Sequence, residues 1–181
     1  EKVIGYKDEF KKHKNIKQHL GADLLGIEKI LSKIKVILKG EYFINENGEF
    51  IALPNRMIAL SDASSGQQEA IRILQDICYV LAKKSKAFRV IEEPEAHLFP
   101  KAQKELVELL ALMVNSNAEN QLIITTHSPY ILTVLNNLLF AQRIVAKNEE
   151  LRERVSGIVG EEFWLAAKDF SAFAMGRRAD G

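Results

Sequence analysis

The sequence predicts an α/β chain: a parallel sheet with flanking helices, preceded by an N-terminal helix and β-hairpin region. Three observations lead there. Apolar residues recur at helical spacing in several separate segments. Two short apolar runs of strand length lie one helix apart, and Asn47-Gly48 stands between two further apolar runs. At 181 residues with 47% hydrophobic content, the chain is long enough to bury one sizeable core.

Ile27, Ile30, Leu31, Ile34, Ile37 and Leu38 repeat at helical spacing, and Gly40 follows where such a helix would stop. Tyr42 to Ile44 and Phe50 to Leu53 then form the arms of a hairpin turning at Asn47-Gly48. Residues 1–60 are accordingly a helix and hairpin region, distinct from residues 61–181. A second helix runs from Gly66 to Lys84, with Ala70, Ile73, Leu74, Ile77, Cys78 and Leu81 on one side. Ser64 or Ser65 stands at its N-cap, and Gln67 or Gln68 can close a capping box. Phe88 to Ile91 is a strand. Pro100 opens a helix whose inner face is Leu106, Leu109, Leu110 and Met113, and Leu122 to Thr125 is the next strand. Strand, helix, strand at this spacing is a right-handed crossover with parallel strands. Ser128 caps and Pro129 opens a further helix carrying Ile131, Leu132, Leu135, Leu138 and Leu139. Glu149 to Arg154 reads as an exposed helical turn, and Phe170 to Met175 as a closing strand.

Composition excludes several classes of function. A net charge of +1 gives no global pull toward nucleic acid, and the cluster Lys7, Lys11, Lys12, Lys14 and Lys17 reads as a solvated helix face. The single Cys78 has no intrachain partner and sits among apolar residues, as expected in a reducing, cytoplasmic setting. The first twenty residues lack the apolar stretch of a secretory signal. The longest apolar segment, Ile131 to Phe140, is broken by Asn136 and Asn137, so no membrane span is expected. The chain begins at Glu1 rather than Met and ends at the turn-opening dipeptide Asp180-Gly181, so both ends are expected to be cut.

Three strings carry chemistry. Glu92 and Glu93 end an apolar strand and precede Pro94, which places them at the carboxyl end of a parallel sheet, where open α/β folds bind ligands. One carboxylate can hold Mg²⁺ through water while the other orients water against a phosphoryl group; a solvated Glu-Glu turn fits the pair alone equally well. His127 ends the next strand on the same edge, where it can donate to a phosphate or to the attacking water. Ser64, Ser65 and Gly66 open a helix, where free amides favour an anion; simple capping is the alternative. Glu95 and His97 can either join the site or stabilise the turn before Pro100.

Together the strings Ala63-Ser64-Ser65-Gly66-Gln67-Gln68-Glu69, Phe88 through Pro100, and Leu122 through Pro129 resemble the ATP-binding-cassette class of ATPase heads. The likeness is to the SMC-, RecF- and OLD-type AAA ATPases of DNA repair and phage defence. It covers roughly residues 60–140, and more loosely the tail from Phe163 and Trp164 to Gly181. The resemblance implies a partial P-loop NTPase fold. It implies that Ser64, Ser65, Gly66 and Gln67 form a signature contacting the γ-phosphate of ATP held by a second copy, with Ser65 replacing a glycine. It further implies a Walker B strand from Arg89 to Glu93, with Glu92 as the metal acid and Glu93 as the catalytic acid, and His127 as the switch histidine. Glu92 stands where the family usually has Asp, and Phe99 where a second histidine is common. No Gly-x-x-x-x-Gly-Lys-Ser/Thr string occurs in residues 1–181, so the Walker A segment is expected to come from elsewhere.

The reading that results is the C-terminal portion of an ATP-hydrolysing, ABC-like AAA domain using ATP and Mg²⁺. It closes as a homodimer and acts on a partner such as DNA, a nuclease or another effector, and the 181-residue chain alone is inactive. The alternatives are a nucleotide sensor that does not hydrolyse, and a DNA- or effector-docking module working through the Lys-rich start.

Overall fold

Helical periodicity builds the inner layer of the protein. The structure, a computed structural model, describes residues 15–20 and 26–175. α1 (Ile16–Leu20) and α2 (Ile27–Leu38) come first, and α2 buries Ile30, Ile34, Ile37 and Leu38, the stripe its spacing predicts. Of the N-terminal lysine cluster, Lys7, Lys11, Lys12 and Lys14 lie outside the described residues. Lys17 is exposed and pairs with Glu28 at 3.0 Å.

A three-stranded antiparallel sheet follows, β1 (Glu41–Asn45), β2 (Gly48–Leu53) and β3 (Arg56–Ala59), in the order β1-β2-β3. The hairpin is where Asn47-Gly48 signals it, but its register is one residue different. Asn45 pairs with Gly48, so Glu46 and Asn47 form the loop and Gly48 opens β2 at φ 126, a conformation suited to glycine. β3 was not expected. It pairs with β2 through Leu53 and Arg56, across a turn of Pro54 and Asn55. Four residues with both Arg56 and Met57 exposed are too few and too polar in pattern to announce a strand.

α3 (Ser65–Lys83) leads to β4 (Phe88–Glu92), α4 (Pro100–Asn115) and β5 (Gln121–Thr125), and β4 and β5 pair in parallel from Phe88 opposite Gln121 to Glu92 opposite Thr125. One face of this pair, Ile91, Leu122 and Ile124, packs on the main core; the other exposes Phe88, Val90 and Ile123. α4 is central. Its Leu106, Leu109, Leu110 and Met113 join a core that runs without interruption from Ile30 and Ile51 to Leu74, across residue 60. Its Val107 and Ala111 meet Phe163 and, from α5 (Pro129–Lys147), Ile131 and Leu138.

Asp76 of α3 holds Arg89 of β4 through two hydrogen bonds of 2.6 and 2.9 Å, tying the helix to the strand. The hydrogen bond to Asp76 raises the guanidinium pKa further. Cys78 is fully buried, and burial pushes its thiol well above the usual range, as expected for a core residue.

After a short 3₁₀ turn at Glu149–Leu151 comes α6 (Arg152–Ser156), the helical turn expected there. The closing strand over Phe170 to Met175 does not form. Those residues are irregular, Phe173 and Met175 are exposed, and no described strand offers them a ladder of hydrogen bonds. Residues 176–181 lie outside the described chain. No helix among the described residues is long and apolar enough to cross a membrane.

Candidate phosphoryl-transfer site

The parallel register sets the site. Because Glu92 lies opposite Thr125, the chain leaves β4 and β5 at the same edge, and the loops that follow are neighbours. Glu93 extends the pairing by one bond, its amide donating to the Thr125 carbonyl at 2.9 Å. It is not extended, however: φ is 43, a left-handed conformation that a residue preceding proline rarely adopts. The backbone therefore turns sharply between Glu92 and Glu93. Glu92 remains on the exposed face with Val90 and Phe88.

His127 and Glu93 come together as expected, with Nε2 3.4 Å from Oε1. That distance is loose for a hydrogen bond but within reach of one shared water or phosphate oxygen. The imidazole is 90% exposed, so nothing apolar packs it in place. The loop between Glu93 and Pro100 contains a second left-handed residue, His97 at φ 59. Two such residues in one short loop store strain that the surrounding contacts must hold.

Ser64 caps α3, and Gln67 closes the capping box; Gln68 instead donates to the carbonyls of Ser61 and Ala63. Gln67 is fully engaged, its Oε1 accepting from Ser64 and its Nε2 donating to the Leu38 carbonyl at 2.6 Å. The capping box leaves the amides of Ser65 and Gly66 as the first-turn donors without an intrahelical partner. Gly66 has a packing role that the sequence did not suggest. A Cβ there would collide with the His97 carbonyl, so the start of α3 lies directly against the loop carrying Glu93. Glu69 adds a contact to His97 Nδ1 at 3.3 Å. Gly66→Ala is expected to destabilise the chain by about 1–3 kcal/mol in urea unfolding, because backbone must move to admit the methyl. A neutral or stabilising result, the usual outcome of Gly→Ala within a helix, would refute the close approach.

Glu95, left open between site and turn, does neither alone. Its buried carboxylate reaches from the loop after β4 to the loop after β5, where it meets Thr126, His127 and Ser128. Ser128, besides capping α5, donates to Gln103 of α4 at 2.6 Å, and Gln103 in turn donates to the Leu98 carbonyl. Glu95 and Gln103 were missed because their partners lie far along the chain, and no local spacing announces such pairs.

Among the described residues no group of three or more His, Cys, Asp or Glu side chains forms a metal cage. The donors that are present suit Mg²⁺ nonetheless. A solvent-facing carboxylate at a strand end is the kind of single protein ligand Mg²⁺ takes when water and phosphate oxygens complete its shell.

A family model described as AAA ATPase domain matches residues 4–132, a span that contains Ser64 to Gln67, Glu92, Glu93 and His127. Among solved structures, one chain from structural work on ATP-driven dimerization and DNA-stimulated activation of SMC ATPases is similar at 15% identity and a TM-score of 0.49. The match covers 72% of this chain and 78% of that one. No curated protein matches.

Proposed function

The chain belongs to the AAA ATPase domain family, and on that premise we propose that it carries the hydrolytic half of an ATP site. The observation that carries this reading is the meeting of Glu93 and His127 at the carboxyl ends of adjacent parallel strands. Glu93 orients the attacking water and takes up its proton as the bond from water oxygen to the γ-phosphorus forms and the bond from that phosphorus to the β,γ-bridging oxygen breaks, releasing ADP and phosphate. His127 donates to a γ-phosphate oxygen, where negative charge grows in the transition state. Glu92 would hold Mg²⁺, which would neutralise charge on the phosphate oxygens. The amides of Ser65 and Gly66 with the Ser65 hydroxyl meet the γ-phosphate of ATP held by a second copy, while the Ser64 hydroxyl is committed to the capping box. Gln67 serves this signature by fixing its cap rather than by touching phosphate. Closure of two copies on ATP then does work on a partner, DNA or an effector.

A glycine-rich phosphate loop, supplied by a segment outside these residues, would complete the site. Parallel strands are ordinarily covered on both faces, and Phe88, Val90 and Ile123 offer such a segment an exposed apolar face beside the Glu pair. The loop's lysine and amides provide most of the grip on the β- and γ-phosphates. Isothermal titration of the 181-residue chain with Mg-ATP should therefore give weak binding, and a segment bearing the loop should restore it when added in trans. Tight Mg-dependent binding by the chain alone would overturn this placement of the nucleotide.

A further inference from the structure

We infer that Glu95 is a positioning residue that sets His127 against Glu93, an inference that rests on the ATPase reading above. Glu95 lies between the two left-handed residues Glu93 and His97, yet its side chain is turned inward and the residue is only 8% exposed. Its Oε1 accepts three hydrogen bonds from the loop after β5: from Thr126 Oγ1 at 2.5 Å, from the His127 amide at 3.1 Å and from the Ser128 amide at 3.2 Å. A carboxyl group, with more than one lone pair on each oxygen, is a natural acceptor for converging donors. Thr126 Oγ1 accepts from the Ser128 amide as well, so the three residues form one closed set around the carboxylate.

The exposure of His127 makes this set matter. With its imidazole 90% exposed and in loose contact with Glu93, the ring is aimed chiefly by its own backbone, and the backbone amide of His127 is held by Glu95. Gln103 ties the same two loops, but through Ser128 Oγ and the Leu98 carbonyl, which leaves His127 itself untouched. Among the described residues, Glu95 Oε2 is buried without a hydrogen-bond partner. Native folds seldom leave such an atom orphaned. Here the orphaned oxygen accompanies the placing of all three donors on Oε1, and the two loops hold the strained backbone at Glu93 between them.

Glu95→Gln, nearly identical in shape, tests this. In the assembled ATPase we expect kcat to fall about ten- to a hundredfold, the scale set by small misplacements of a reacting group. KM for ATP and ATP-dependent dimerisation should stay within about threefold, as expected when only the transition state is affected. In a His127→Ala background the same substitution should lower kcat by no more than about twofold, because a residue acting through His127 has nothing left to aim. Fully additive losses would overturn the inference. So would KM and dimerisation weakening together with kcat per active site unchanged, which is what a purely structural role produces. An arm without turnover reads the geometry directly: the amide proton resonances of His127 and Ser128 in the 181-residue chain should move upfield in Glu95→Gln, and unmoved resonances would refute it. Glu93→Gln run alongside separates the two failures. Unchanged turnover in that variant sinks the assignment of Glu93 as the water-activating acid and this inference together, whereas a collapse there with Glu95→Gln at wild-type rate sinks this inference alone.

Discussion

Glu93→Gln in the assembled ATPase is expected to leave ATP bound and the dimer closed while turnover falls by about a hundred- to ten-thousandfold. Glutamine keeps the length and hydrogen-bonding capacity of the side chain but cannot take a proton from the attacking water. The backbone at Glu93, at φ 43 and bonded through its amide to the Thr125 carbonyl, is indifferent to that change, so the fold and the contact with His127 should survive. Single-turnover hydrolysis measured beside ATP-dependent dimerisation separates chemistry from binding. Wild-type turnover in the variant would mean that another group activates the water.

The largest expected effect on stability is at Lys33. This residue of α2 is buried, and its ammonium pairs with Glu105 at 2.6 Å and with Glu108 of α4, which is buried more deeply still. The ring of Phe163 lies 4.7 Å from the same ammonium, so one cation holds α2, α4 and the C-terminal segment together. Lys33→Met leaves two carboxylates facing each other with Lys104 as partial compensation, and should cost about 3 kcal/mol. That corresponds to a drop of about 6–12 °C in Tm for a chain of this size. Lys33→Met combined with Glu108→Met should recover most of the loss, because it removes the uncompensated charge. A loss below about 1 kcal/mol for the single variant would place the cluster among ordinary surface ion pairs. The pH dependence has a definite sign. Burial by itself lowers the Lys33 pKa, but hydrogen bonds and attraction from Glu105 and Glu108 outweigh it, and the net shift is upward. A raised pKa in the folded state contributes stability that is fully present below the unfolded lysine value near ~10.4. The contribution is lost as pH climbs through the folded value, so on the alkaline side the wild-type advantage over Lys33→Met should persist until strong alkali.

What the sequence by itself determined is local in origin. The stripe on α2, the inner face of α4, the caps at Ser64 and Ser128, and the strand ends carrying Glu92, Glu93 and His127 all follow from periodicity and end signals within a few residues. Because β4 and β5 are parallel and joined by one helix, their carboxyl ends had to share an edge, and Glu93 and His127 had to be neighbours. Tertiary structure decided everything whose partner lies far along the chain. β3 exists because β2 offered it an edge, while Phe170 to Met175, with comparable alternation, found none and stayed irregular. Gly66 looked like a place for an anion and proved also to be where a helix meets the His97 carbonyl. Glu95, which the sequence left open between site and turn, became the tie between two loops, and Lys33, a polar break in an apolar stripe, became the cation of a buried cluster. The physical reason is common to these cases. A buried charge or a close backbone approach is stabilised only by the particular group that meets it, and that group's identity is set by how helices and strands pack.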